Sequence, residues 1–170
     1  MLELGPPNRP VVQLHRLDEL GRALWARGDT DAYREALTHF LKALSLRRKL
    51  GDPARLAESL GNVARIHLGK GYALRARRHL EEAFAAHEQA GNRVGSVESL
   101  IGVGATWHEA GDHRRALQVW SRATATAEEI GDRHGLCILL NNMGEAYLSL
   151  DDFASARVYL REAIELAREV

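Results

Sequence analysis

Gly102-Val-Gly104-Ala-Thr-Trp107 is the stretch of this 170-residue chain that comes nearest to a dinucleotide-binding fingerprint. In such a fingerprint, closely spaced glycines after a strand let a pyrophosphate approach a helix N-terminus. Here the third glycine is missing and the apolar spacing places the stretch inside a helix. Ala64-Arg-Ile-His-Leu-Gly69-Lys70-Gly71 approaches a phosphate-binding loop in the same incomplete way. Its first glycine is Ala64 and no Ser or Thr follows Lys70, so it reads as a hairpin turn. His108, Glu109 and His113 cluster around one turn, but zinc needs three or four converging ligands, and the chain has neither HExxH nor paired cysteines. Cys137 lies in the apolar stretch Leu136–Leu140 with no His or Asp at catalytic spacing, and reads as a packed thiol. The acids come as helix-surface pairs such as Glu81-Glu82 and Glu128-Glu129, with no pair opposed across a cleft as glycoside hydrolysis requires. The expectation is no catalytic constellation, no metal, no cofactor and no enzymatic activity.

Charge narrows the partners. The chain carries 23 basic and 23 acidic residues, a formal net charge of zero. That balance lacks the broad positive potential of a nucleic-acid or anionic-membrane binder, so neither partner is expected. The lone cysteine excludes an intramolecular disulfide and points to a reducing, cytoplasmic compartment. The start, MLELGPPNRP, has no basic run leading into an apolar one, and no apolar run approaches the roughly 18 residues of a membrane span. Neither a signal peptide nor a transmembrane helix is expected. Twenty of the 23 basic residues are Arg, a bias read as a GC-rich bacterial coding sequence.

The elements that position these residues repeat. Gly51-Asp52, Gly91-Asn92 and Gly131-Asp132 stand 40 residues apart. Ala156 falls on Ala116, Ala76 and Ala36, Ala163 on Ala123, Ala83 and Ala43, and Leu140 on Leu100, Leu60 and Leu20. A period between about 20 and 50 residues signals a solenoid. Eight helices are predicted as four hairpins: 10–27 with 31–50, 53–69 with 72–90, 93–110 with 113–130, and 133–149 with 152–169. The repeats run about 10–50, 51–90, 91–130 and 131–170. Residues 1–9, with Gly5, Pro6 and Pro7, read as a flexible arm, and Asn8 as the cap of the first helix. Glycine ends helices, the Asp or Asn after it caps the next one, and Pro53 suits a first turn. Gly28 lies eight residues before Ala36, whereas Gly111 lies five before Ala116, so the turn of repeat one is expected to hold three extra residues.

Two small positions recur, Gly21/Ala64/Gly104/Gly144 and Ala36/Ala76/Ala116/Ala156, where two helices can approach closely. Larger residues are expected to fill the seam in pairs: Leu24 with Phe40, His67 with Leu80, Trp107 with Trp120, and Tyr147 with Leu160. Each hairpin is too thin to bury its own apolar face, and stacking supplies the core.

These residues resemble the tetratricopeptide repeat, W-x2-L-G-x2-Y, then A-x3-F, then A. Repeat four has Leu140-x2-Met143-Gly144-x2-Tyr147, Ala156-x3-Leu160 and Ala163. Repeat three has Leu100-x2-Val103-Gly104-x2-Trp107, Ala116-x3-Trp120 and Ala123. The closing proline is absent and the period is 40 rather than about 34. That is similar to the long-helix subclass of Pins-type adaptors and bacterial signalling and transcription regulators. The resemblance implies an all-α, right-handed superhelical solenoid of four repeats and a non-catalytic scaffold or regulatory sensor. It also implies that a protein or peptide segment lies in a concave groove lined by the first helix of each pair.

Carried onto this chain, the groove-facing positions include Arg22 and Trp25 in repeat one, Asn62 and Arg65 in repeat two, Gly102, Ala105, His108 and Glu109 in repeat three, and Asn142 and Glu145 in repeat four. Asn62 and Asn142 can donate to and accept from a ligand backbone. Arg22 and Arg65 can pair with a carboxylate, and Gly102 and Ala105 leave room for a ligand. Asp18, Glu98 and Gly102 stand where chaperone-binding members place base or amide, so a terminal-carboxylate clamp is not expected. The sequence ends inside a helix with no polar outer cap and with Val158 where other repeats have Thr38, Arg78 and Gln118. Val158, Ile164 and Leu166 are therefore expected at an end interface, with a homo-oligomer as the alternative use of the array.

Overall fold

A computed structural model describes residues 9–169, apart from the side chains of Arg9 and Thr30. It contains eight helices: α1 Arg9–Arg27, α2 Thr30–Leu50, α3 Pro53–Gly69, α4 Ala73–Gln89, α5 Arg93–Glu109, α6 His113–Ile130, α7 Arg133–Ser149 and α8 Phe153–Ala167. Helix α1 includes Arg9; the remainder of the expected arm and the Asn8 cap lie outside the described residues.

The boundaries follow from capping chemistry. Asp29, Asp52, Asn92, Asp112, Asp132 and Asp152 each accept a backbone amide three residues ahead, at 2.8–3.2 Å. This satisfies donors that a helix start leaves unpaired. Gly51 and Gly131 close α2 and α6 at φ 69°, a left-handed conformation that costs glycine nothing. In the last turn Asp151 adopts φ 59° where the other repeats place glycine.

Each helix packs against its neighbours in sequence, and α5 also meets α7. The small positions act as sockets. The Phe40 ring seats against Gly21, the Trp120 indole against Gly104 and the Leu160 side chain against Gly144. In repeat two, Leu80 shares a core cluster with Ala64. Leu24 packs against the cluster that holds Phe40 and Trp107 against the one that holds Trp120, as expected, but neither supplies the closest seat. The large residue of the second helix enters the small position of the first, one turn before the large residue expected to meet it. His67 stacks instead on His79, with centroids 5.5 Å apart, and Tyr147 on Tyr159 at 5.2 Å. Trp107, expected in the core, is half-buried with the Arg77 guanidinium 3.4 Å from its ring centroid and that of Arg115 4.7 Å away.

Repeat one departs from expectation in a second way. Only Gly28 and Asp29 separate α1 from α2, so its turn has not lengthened. The extra residues extend α2 to 21 residues against 17 in α4. The added residues 30–32 precede Tyr33, which stands where the other second helices begin; its hydroxyl donates to the Ile66 carbonyl at 2.9 Å and its ring lies 4.8 Å from Trp25. The same offset moves α1, so Leu17, not Leu20, stands at the position of Leu60, Leu100 and Leu140. Leu20 is 40% exposed while Leu60 is sealed.

One buried contact is polar. Arg47 reaches from α2 to Asp18 of α1 at 2.5 Å and to the Ser59 hydroxyl of α3 at 2.6 Å, and also donates to the Arg55 carbonyl. Asp18, expected among the acids of the groove, is thus enclosed, and burial pushes its carboxyl above the usual range despite the guanidinium beside it.

Candidate functional site

In repeats two to four the first helices are enclosed on more of their circumference than the second. Helix α3 buries Ser59 and Asn62 and α5 buries Ser96, Ser99 and Thr106, alongside their apolar residues. Cavities open where successive first helices meet. Between α1 and α3, Arg22, Trp25, Asn62 and Arg65 converge around a cavity of about 280 Å³ floored by Phe40 and Ile66. Their convergence follows from equivalence: Arg22 and Arg65 occupy the same position of consecutive repeats. Asn62 is 5% exposed and its Oδ1 accepts from the Arg65 guanidinium. Its Nδ2 makes no hydrogen bond among the described residues. A larger cavity of about 600 Å³ continues between α3 and α5 past Asn62 and Arg65 to Glu98 and His87.

Gly102 offers less than expected. A Cβ there would lie 2.9 Å from the Leu80 side chain, so α4 already fills the space that seemed open to a ligand. Ala105 is half-buried and packs against the core. Asn142 is half-buried, and Glu145, exposed, accepts from Asn141 at 3.1 Å. His108 is half-buried, its Nδ1 2.9 Å from that of His113 and its ring 5.9 Å from Trp120, while Glu109 is exposed. Burial and the neighbouring His113 hold the His108 pKa below its usual value, against the pull of Glu145 and Glu109. Arg22, Trp25, Asn62 and Arg65 thus come together, while Asn142, Glu145, His108 and Glu109 lie on the later repeats.

Sequence reasoning missed Arg47, which stands in the basic run Arg47-Arg48-Lys49 at the end of α2 and so gave no signal of burial. It also missed Phe153. At the last hairpin Phe153, Leu148, Leu160 and Ile164 line an open depression of about 500 Å³ with Arg157 and Arg161 on its rim. Val158 and Ile164 are exposed and Leu166 is half-buried.

Repeated hairpins with an open, polar face along their first helices define a helical-repeat solenoid. Residues 95–169 match the tetratricopeptide repeat family, and α1 to α4 form two further helical hairpins ahead of them. Solved structures share the fold. BtubC (BKLC) from P. vanneervenii aligns with a TM-score of 0.83 at 19% identity, over 98% of this chain and 67% of that one. Nearly identical TPR-like repeats of a putative kinesin light chain from Podosopora anserina align at 0.76 and 17%, over 99% and 79%. A Rap protein complexed with Competence and Sporulation Factor aligns at 0.77 and 16%, over 94% of this chain but only 44% of that protein. No curated protein matches the sequence. No helix among the described residues is long and apolar enough to cross a membrane.

Proposed function

We propose that the array is a non-catalytic interaction module, a scaffold or regulatory sensor, that holds a peptide segment along the face lined by α1, α3, α5 and α7. The observation that carries this reading is the convergence of Arg22, Trp25, Asn62 and Arg65 on one cavity between first helices. Asn62 and Asn142 supply amides for the ligand main chain, and the charges around them supply discrimination. The tetratricopeptide match and the complexed Rap neighbour support such a use.

The test is to select linear peptides on the immobilised chain and measure their affinity for it and for the Asn62→Ala, Asn142→Ala double variant. A loss of about 1–3 kcal/mol is expected. Unchanged affinity with unchanged helicity removes the asparagines from the site.

A second reading rests on the exposed Phe153, Val158 and Ile164. Here the last hairpin is an assembly surface for another copy. Light-scattering mass over a dilution series separates the two: a constant monomer that retains peptides supports the groove, and a concentration-dependent dimer that retains none supports assembly.

A further inference from the structure

The cavity between α1 and α3 differs in charge from the larger one that adjoins it. Its polar lining is Arg22, Trp25, Asn62 and Arg65, and no carboxylate lines it. The larger cavity mixes Arg55 and His87 with Glu58 and Glu98. Among the described residues neither Arg22 nor Arg65 forms an ion pair within 4 Å. Arg22 also borders a separate cavity with Asp18 and Glu58, but Arg47 already pairs with both of those acids.

Asn62 is the fixed point between the two guanidiniums. It is buried, and its Oδ1 is taken by the Arg65 guanidinium, while Nδ2 makes no hydrogen bond among the described residues. The acceptor of the amide is used and a donor is left, so the site offers N–H groups alone. Its walls are held before any ligand arrives. The Phe40 ring is seated against Gly21, and Trp25 lies 4.8 Å from the Tyr33 ring. The edge of Trp25 covers Gly69, where a Cβ would fall 2.9 Å from it. A pocket organised in advance loses less on binding.

The charge count selects the ligand. A carboxylate brings one negative charge and leaves one guanidinium without a counter-charge. A phosphoryl ester carries a charge of about −1.5 to −2 at pH 7 and three acceptor oxygens, one for each of Arg22, Arg65 and the Asn62 amide. We propose that this cavity seats the phosphoryl group of a phosphorylated serine or threonine on the bound segment. Asn62 and Arg65 line both cavities, so a chain with its phosphate between α1 and α3 continues into the larger one. A free anion makes no use of that second space.

This inference rests on the groove reading, and its test separates the two. N-acetyl-O-phosphoserine amide, N-acetyl-glutamate amide and inorganic phosphate are titrated separately into ¹⁵N-labelled protein. The readouts are the arginine Nε–H signals, the Asn62 side-chain amide and the Trp25 indole N–H. The phosphoserine amide is expected to shift them saturably and to bind about ten-fold more tightly than the glutamate amide, the worth of one further charged hydrogen bond. Arg22→Gln, an exposed change outside the Asn62–Arg65 contact, should weaken it about ten-fold at unchanged helicity, and Arg22→Lys should recover part of that loss. Equal affinity for the glutamate amide, or no effect of Arg22→Gln, overturns the two-arginine phosphoryl seat. Equal affinity for inorganic phosphate overturns its arrival on a segment. No saturable shift with any probe overturns the seat altogether, while peptides selected on the immobilised chain still decide the groove.

Discussion

Gly104→Ala tests the socket on which the hairpin packing depends. Gly104 lies inside α5, and a Cβ there would fall 2.5 Å from Cδ1 and Cε2 of Trp120 and closer still to Nε1. Trp120 is 1% exposed and its indole donates to the Ile101 carbonyl at 3.0 Å, so the ring has no free direction in which to retreat. Overpacking costs about 1–3 kcal/mol and loss of the buried hydrogen bond about 1 kcal/mol. Alanine returns about 1 kcal/mol of helix propensity. The net expectation is a loss of about 2 kcal/mol, read as a lower urea midpoint by circular dichroism, with altered tryptophan fluorescence. Gly61→Ala is the control. Gly61 also lies inside a helix, but nothing stands within 4 Å of its added Cβ. That substitution should gain about 0.5–1 kcal/mol. If Gly104→Ala matches the parent, or both substitutions destabilise equally, the socket argument is refuted.

Arg47→Ala leaves Asp18 buried without its partner and should cost about 3–5 kcal/mol in urea unfolding; a loss under about 1 kcal/mol would show that the pair is solvated. Burial lowers the pKa of His67, His79, His87 and His108 below the ordinary 6.5. The unfolded chain therefore binds protons that the folded chain resists, so stability is greatest above the unfolded pKa and declines as pH falls through it toward the depressed values. Urea midpoints on either side of 6.5 check this, and the His67→Gln, His79→Gln variant should show a shallower decline. Phe153→Ser with Ile164→Ser should leave helicity unchanged and abolish any concentration-dependent mass; self-association that persists would place it elsewhere.

Most of the fold was legible because most helix boundaries have a local chemical cause, the start of α4 after Tyr72 being an exception without a side-chain cap. The Gly-Asp and Gly-Asn steps, Pro53 and the recurring small residues act within a few positions of themselves. The three extra residues of repeat one were visible as a count but not as a conformation. A loop and an added helical turn leave the same number of residues between Gly28 and Ala36, and the structure decides for the turn by capping Ala32 with Asp29 and starting α2 at Thr30. The seam was misread by one turn because periodicity reveals which face a residue occupies, not which opposing gap its side chain enters. Gly102 misled for a similar reason: its missing side chain makes room that Leu80, a neighbour 22 positions earlier, already fills. Arg22 and Arg65 could be paired from the sequence, since they are equivalent positions of consecutive repeats. Arg47 could not, because no other repeat carries arginine at its position.

The contacts between helices follow chain order, so the array folds through local encounters, which favours fast folding and permits partial unfolding. Repeat one can fray while repeat four stays formed, since no packing joins Arg22 to Glu145 directly. A segment lying along the groove from one to the other would be the single element touching both. It would release its own contacts if either end opened, and so penalise fraying at both. Occupancy would then turn a row of separable hairpins into one cooperative unit, with added protection of the terminal helices as its first sign.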